Sequence, residues 1–155
     1  MKKRRSEENV MNAKQLSIDV ITYAKKCDCP ITNLKLQKTL YYIQGYYGKY
    51  FEKPLFEDDI EHWPYGPVVP VVYFEYCPFG ADEITVAPAK TIFADCEASA
   101  KKVIINVIDK CLSMTARELV DKTHKEAPWL ESEPSGEISF NSILQYFKKN
   151  NPLEI

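Results

Sequence analysis

The sequence predicts a mainly α-helical protein, a single compact domain of five to six helices with one or two short strands. Apolar residues recur at three- and four-residue spacing in several segments, which is the period of a helix with one buried face. Helix-capping residues stand before several of these segments. The 155 residues, 45% hydrophobic and 27% charged, are typical of one globular domain.

The first two helices begin at capping residues. Asn12 and Gln15 form a capping-box signature for a helix that is predicted to end near Lys26. Thr32 is placed to cap a second helix, which ends near Gly48. The apolar positions are Leu16, Val20, Ile21 and Ala24 in the first helix, and Leu36, Leu40, Ile43 and Tyr47 in the second.

An extended segment and a sharp turn follow. Pro54 starts a short extended segment that runs through Trp63. In the run YGPVVP, Pro67 excludes the helical conformation at Gly66. Pro70 suits the first turn of a new, short helix.

The second half of the chain predicts three more helices. Residues 77–93 have no helical period and are interpreted as a loop with at most one short strand. The strongest apolar stripe lies within residues 95–112 and predicts the central buried helix. Thr115 with Glu118 forms another capping box, for a helix that stops before Pro128. The last helix lies in EISFNSILQYFKK, with apolar positions Phe140, Ile143, Leu144 and Phe147.

Both ends of the chain are predicted to lie outside the packed core. Residues 1–10 have no apolar period, and their basic run, Lys2 to Arg5, is followed at once by two glutamates. They are predicted to be a disordered N-terminal extension. Residues 11–150 form the helical domain, and residues 151–155 are expected to fray.

Three sequence blocks in order resemble a known family. LKLQKTLYY, PLFEDDIEHWPYGPVVP and TARELVDKTHKEAPW are similar to the Panacea antitoxin domain, which is also found in SocA-like proteolytic adaptors and phage-associated proteins. The resemblance covers roughly Lys14 to Phe147. The chain departs from the pattern at His62, where a small residue is usual before the tryptophan, and at Thr39, where leucine is usual.

The resemblance implies a helical, non-enzymatic protein-binding domain. Its first functional implication is an antitoxin that neutralises a cognate protein toxin by binding it directly. The alternative is a SocA-like proteolytic adaptor that delivers a bound toxin to a ClpXP-type protease. A homo-oligomer is a further expectation for the assembly.

Composition and cysteine usage predict a cytoplasmic protein. No apolar run approaches the ~20 residues of a membrane span, and the start of the chain has no signal-peptide region. Five cysteines, an odd number, fit a reducing compartment better than a set of disulfides. The net charge of −2 disfavours a general nucleic-acid binder, which needs clustered Lys and Arg. We therefore expect neither a membrane nor nucleic acid among the partners.

No motif predicts enzymatic chemistry, a cofactor or a bound metal. The chain has neither GxGxxG nor a P-loop, and the spacing of Cys27 and Cys29 suits neither zinc nor redox motifs. His124 is the better catalytic candidate of the two histidines, but the simpler interpretation is that its ring interacts with helix C-terminal carbonyls. An enzyme that uses His124 is therefore the weakest of the three functional alternatives.

The aromatic residues are the best guide to a binding surface. Six of the eleven residues from Tyr41 to Phe51 are Tyr or Phe, too many for one buried helix face. Spacing places Tyr42 and Tyr46 off the apolar face, so both are predicted to be exposed. Trp63 could join them or complete a small core around the turn. The predicted partner-binding residues are Gln37, Lys38, Tyr42, Tyr46, Trp63, Tyr65, Gly66 and Pro67.

Overall fold

A computed structural model describes residues 11–155. The predicted disordered extension, residues 1–10, lies outside the described residues. The described part has the mainly helical, single-domain fold that the sequence predicts, with these elements: α1 (Ala13–Lys26), α2 (Asn33–Phe51), β1 (Glu61–Trp63), β2 (Gly66–Val68), α3 (Pro70–Tyr76), a 3-10 turn (Cys77–Phe79), α4 (Ala98–Leu112), α5 (Ala116–Thr123), α6 (Ala127–Leu130) and α7 (Phe140–Lys149).

Local capping chemistry begins the helices where the sequence predicts. The Asn12 side chain accepts a hydrogen bond from the Gln15 backbone N–H at 2.8 Å. Thr115 and Glu118 form a reciprocal capping box, with both hydrogen bonds at 3.0 Å. These short-range bonds satisfy amides that the first helical turn leaves without partners. The predicted starts of α1 and α5 are therefore confirmed.

The central helix of the domain is α2, not the helix predicted from residues 95–112. Helices α1, α4, α5 and α7 and strand β2 all pack against α2, and most of its residues are buried. By contrast, α4 buries a single stripe, and Lys101 and Lys102 are exposed. The expectation was wrong because α2 also buries polar side chains, such as Gln44, which bonds the backbone of Leu55 and Phe56.

Helix α7 crosses α2 at a glycine. A Cβ atom at Gly45 would collide with the ring of Phe147, which is itself fully buried. The absence of a side chain at this position lets the two helices approach closely. Phe147 then makes edge contacts with the rings of Tyr41, Tyr42 and Tyr46, with centroids 5.8, 6.1 and 5.1 Å apart.

The last five residues dock against α2 rather than fray. Leu153 is fully buried, and its backbone N–H donates to the hydroxyl of Tyr46 at 2.8 Å. The same hydroxyl donates to Asn151 Oδ1 at 2.6 Å. The predicted frayed tail was therefore wrong, because one leucine in a polar segment closes the core over Tyr46.

The two strands form an antiparallel hairpin in which Glu61 faces Val68 and Trp63 faces Gly66. The other edge of β1 bonds to residues 135–138, through His62 N to Gly136 O at 2.9 Å and Ser135 N to His62 O at 2.8 Å. Strand β1 is thereby bonded along both of its edges. Within residues 11–155, no helix combines the length and apolar character needed to cross a membrane.

Candidate partner-binding surface

Two polar side chains of α2 hold the second strand of the hairpin. Gln37 Oε1 accepts a hydrogen bond from the backbone N of Val69 at 2.9 Å. Lys38 Nζ donates to the backbone O of Pro67 at 3.1 Å. Both side chains are buried, so these bonds act in a low-dielectric interior where they strongly favour one geometry.

Gly66 is the point at which the turn meets the core. Its φ of +112° lies in a region that L side chains rarely adopt. A Cβ atom at this position would lie 2.7 Å from both Lys38 Cε and Thr123 Oγ1. Glycine is therefore required here on two independent grounds, conformation and space.

Helices α5 and α6 hold the other side of the hairpin. Trp129 Nε1 donates to the backbone O of Trp63 at 2.9 Å, and His124 Nε2 lies 2.9 Å from the backbone O of Pro64. Because a carbonyl oxygen can only accept, His124 must carry a proton on Nε2 in this contact. The turn between the strands is thus fixed through two successive carbonyls.

A ring stack completes this support. The His62 ring stacks on Trp129 with centroids 4.1 Å apart, and the His124 ring is tilted against Trp129 at 4.3 Å. His62 Nδ1 lies 2.9 Å from Ser132 Oγ, which donates its own hydrogen to Trp129 O at 3.0 Å. Since that hydroxyl hydrogen is in use, His62 must be the donor through Nδ1.

Large aromatic side chains are prominent among the residues that the hairpin and its neighbours present to solvent. Tyr65, at the turn, is 67% exposed, and Phe74 on α3 is 62% exposed. The rings of Trp63, Tyr73 and Phe74 contact one another with centroids 4.9 to 5.9 Å apart. We call Leu34, Trp63, Tyr65, Tyr73 and Phe74 the aromatic surface.

A groove of about 300 Å³ opens beside this surface. Its walls include Leu34, Trp63, Tyr65 and Tyr73, and none of the described residues that line it is charged. An apolar concave site with large exposed rings is typical of protein interfaces. The geometry therefore suits insertion of an apolar side chain from a partner.

Comparisons with known proteins place the chain in a family. The family model described as "Antitoxin SocA-like, Panacea domain" matches residues 36–130, which include α3 to α6, the hairpin and most of α2. The chain belongs to this family. It is 38% identical over 63 residues to "Antitoxin SocA" of Caulobacter vibrioides (strain NA1000 / CB15N), an alignment that covers 41% of this chain and 34% of that relative. The chain thus spans about a third of the length of this curated relative. No solved structure matches the chain.

The structure divides the predicted partner-binding residues of this Panacea domain into two groups. Tyr65 is exposed and Trp63 is half-buried, so both can contact a partner. The other predicted residues near the hairpin are buried and support it from below. They are Gln37, Lys38, Gly66 and Pro67.

The predicted exposure of Tyr42 and Tyr46 was wrong. Both side chains are fully buried. The hydroxyl groups of Tyr41 and Tyr42 donate to the two oxygens of the Glu126 carboxylate at 3.0 and 2.7 Å. A second covering element, α7, packs on the face of α2 that spacing alone had left to solvent. Neither tyrosine can contact a partner directly.

Two buried ionisable groups of the Panacea domain lie within these networks. Burial lowers the pKa of Lys38 to about 7, since the ammonium has lost its water. Burial also raises the pKa of Glu126 to about 7, although the hydrogen bonds from Tyr42 and Tyr41 act in the opposite direction. Both groups change charge near neutral pH.

His124 has a structural role in the domain. It follows the last residue of α5, but its ring bonds the hairpin carbonyl of Pro64 rather than the helix carbonyls that the sequence suggested. Within residues 11–155, no group of three or more His, Cys, Asp and Glu side chains is placed to hold a metal ion.

Sequence reasoning missed Phe74 and Leu34 as surface residues. Helix α3 has only seven residues, and it buries Val72 and Tyr76, four apart, which leaves Phe74 on the opposite side. The i, i+4 spacing of those two buried residues could have indicated that Phe74 is exposed. Leu34 is in the first turn of α2, where its position next to the hairpin depends on the fold.

Proposed function

We propose that this protein is an antitoxin that binds a cognate protein toxin directly through the aromatic surface. Membership of an antitoxin family supports a protein partner. The observation that carries the proposal is the exposure of Tyr65 and Phe74 beside an uncharged groove. Large exposed rings that border a concave apolar site are the common anchors of protein interfaces.

The support of the hairpin strengthens this proposal. The turn is held by Lys38 and Gln37 from one side and by His124 and Trp129 from the other. A surface that is already rigid loses little conformational entropy on binding. The buried residues of the hairpin therefore contribute to affinity by fixing Tyr65, without contact with the toxin.

The proposal is tested with the full chain and the products of the two flanking reading frames. Tyr65→Ala and Phe74→Ala should each weaken binding of the toxin by roughly 1 to 3 kcal/mol, the range of interface anchors. Both residues are largely exposed, so the melting temperature should change little. Titration calorimetry and thermal melts on the same samples measure the two effects.

Tyr50→Ala is the matched control. Tyr50 is 55% exposed and lies near the C-terminal end of α2, beside Lys49. Its removal should leave toxin binding unchanged. If Tyr65→Ala and Phe74→Ala bind as tightly as wild type while Tyr50→Ala does not, the interface lies elsewhere.

The same complex distinguishes direct neutralisation from delivery to a protease. A direct inhibitor leaves the toxin intact when a ClpXP-type protease and ATP are added. An adaptor of the kind that the SocA-like resemblance implies accelerates loss of the toxin. In either case the aromatic surface would bind the toxin, so Tyr65→Ala should weaken both effects.

A further inference from the structure

The small net charge of this chain hides a strong separation of charge along the sequence. Residues 54–89 contain seven Asp or Glu and no Lys or Arg, and residues 126–147 contain four and none. The rest of the chain holds the other eleven acidic residues together with all twenty Lys and Arg. The fold determines whether the two acidic stretches meet.

The hairpin brings the two stretches together. The backbone of β1 bonds to residues 135–138, and Glu61 is directly opposite Glu137 in an isolated bridge. Like charges in directly opposed positions destabilise a pair of strands. No Lys or Arg among the described residues forms an ion pair with either glutamate. A local conflict between like charges that no ion pair offsets is often found at a functional site.

Next to this pair lies a groove of about 160 Å³ with an apolar floor and an acidic rim. The floor includes the buried side chains of Ile60 and Ile138. The rim carries Glu57, Asp59 and Glu137, all exposed. We call this site the acidic groove. A cavity of ~150 Å³ accepts a benzene-sized group, so this one can take a single aromatic or aliphatic side chain.

We propose that the toxin inserts a Lys- or Arg-rich segment with one apolar anchor into the acidic groove. This inference rests on the proposed function and specifies the chemistry of its partner. The rim supplies carboxylates for charge-assisted hydrogen bonds, and the floor supplies the apolar contact. The groove is joined to the aromatic surface by β1 itself, where Trp63 Nε1 donates to Glu61 Oε1 at 3.0 Å. One partner can therefore contact both.

The first test uses a synthetic probe and the full chain. Amide shifts of 15N-labelled protein are followed while the peptide acetyl-KKLKKFKK-amide is added. The shifts should concentrate at residues 57–60 and 137–138, and the affinity should fall as salt is added. In the first control peptide every Lys is replaced by Glu, and in the second Leu and Phe are replaced by Gly. The first should not bind, and the second should bind more weakly.

The rim is tested by charge reversal. Glu57→Lys, Asp59→Lys and Glu137→Lys together should weaken peptide binding about tenfold or more, since each exposed pair contributes a modest amount. Asp58 is left unchanged because its carboxylate accepts a hydrogen bond from the Ala13 amide. The control pair Asp95→Lys and Glu154→Lys, also exposed, should have no more than a small effect. Glu57→Gln, Asp59→Asn and Glu137→Gln provide an isosteric set if the reversed variant melts early.

Three results would overturn the inference. The peptide shifts could be absent, or spread evenly over all acidic residues of the chain. The groove amides could shift without peptide when Lys2, Lys3, Arg4 and Arg5 are replaced by Ser, which would make the chain's own segment the occupant. Finally, the toxin could bind wild type and the reversed variant equally tightly. That last result would leave the proposed function standing, whereas failure of Tyr65→Ala to weaken the complex would not.

Discussion

Replacement of Lys38 by Met tests two effects of the buried ammonium group. We expect this group to lower the stability of the fold and, at the same time, to position the hairpin. Lys38 is fully buried, and among the described residues the only hydrogen-bond partner of its ammonium group is the backbone O of Pro67. Met retains most of the length of the side chain and removes the charge. The variant should therefore be more stable than wild type near neutral pH, yet bind the toxin less tightly because the hairpin has lost a support.

The size of this stability difference follows from the protonation of Lys38 in the folded and unfolded states. Its pKa is about 7 in the folded protein, below the ordinary value of 10.5. The neutral amine is thus favoured in the fold, and stability is lost as pH falls from ~10.5 towards 7. Burial of Lys38 therefore lowers the free energy of unfolding by roughly 4 kcal/mol at pH 7 and by ~2 kcal/mol at pH 9. The Lys38→Met variant also loses the hydrogen bond to Pro67, which is worth about 1 to 2 kcal/mol. Its net gain in stability should therefore be ~2 to 3 kcal/mol at pH 7 and ~0 to 1 kcal/mol at pH 9.

Urea unfolding at pH 6, 7, 8 and 9 measures this difference. Lys49→Met, on the same helix but partly exposed, is the control and should follow wild type at every pH. Parallel pH profiles for Lys38→Met and wild type would refute the reasoning about burial. Equal toxin binding by the two proteins would refute the role of Lys38 in positioning the hairpin.

Three further changes test the packing. Gly45→Ala should cost ~1 to 3 kcal/mol in urea unfolding, since the new methyl group meets Phe147, and wild-type stability would contradict the close helix crossing. Deletion of residues 151–155 should cost ~2 to 3 kcal/mol because it removes the buried Leu153, and an unchanged melting temperature would mean that the tail contributes nothing. Burial raises the pKa of Glu126 to about 7, so its contribution to stability is fully present below pH ~4.5 and is lost as pH rises to 7. Between pH 4.5 and 7 the free energy of unfolding of wild type should fall by up to ~3 kcal/mol relative to that of Glu126→Gln. Identical pH profiles of unfolding for the two proteins would contradict this role of Glu126.

The starts of several helices could be predicted because their causes are local. The caps at Asn12 and Thr115 depend on residues three positions away, and the structure has both. The turn predicted in the run YGPVVP lies slightly earlier, at Pro64 and Tyr65, and Gly66–Val68 forms β2 instead. Pro67 excludes a helical conformation at Gly66, but an extended strand satisfies that restriction as well as a turn does. Trp63 and Tyr65, which the sequence predicts as partner-binding residues, lie beside this turn, where Trp63 is half-buried and Tyr65 is exposed.

The environment of α2 could not be predicted from its own spacing. A helix with aromatic residues on most sides can be fully buried, but only if another element covers its second face. That cover comes from Phe147 and Leu153, about one hundred residues later in the chain. Lys38 was equally hard to place, since lysine is almost never fully buried without a partner, and its partner is a carbonyl in a distant strand.

Hydrogen exchange of the chain, free and in complex with its toxin, tests the central claim most directly. If the toxin binds the aromatic surface, backbone amides of residues 61–76 should exchange more slowly in the complex, while those of the outward face of α4 should not change. Protection confined to α4 or α7, with residues 61–76 exchanging as in the free protein, would contradict the claim.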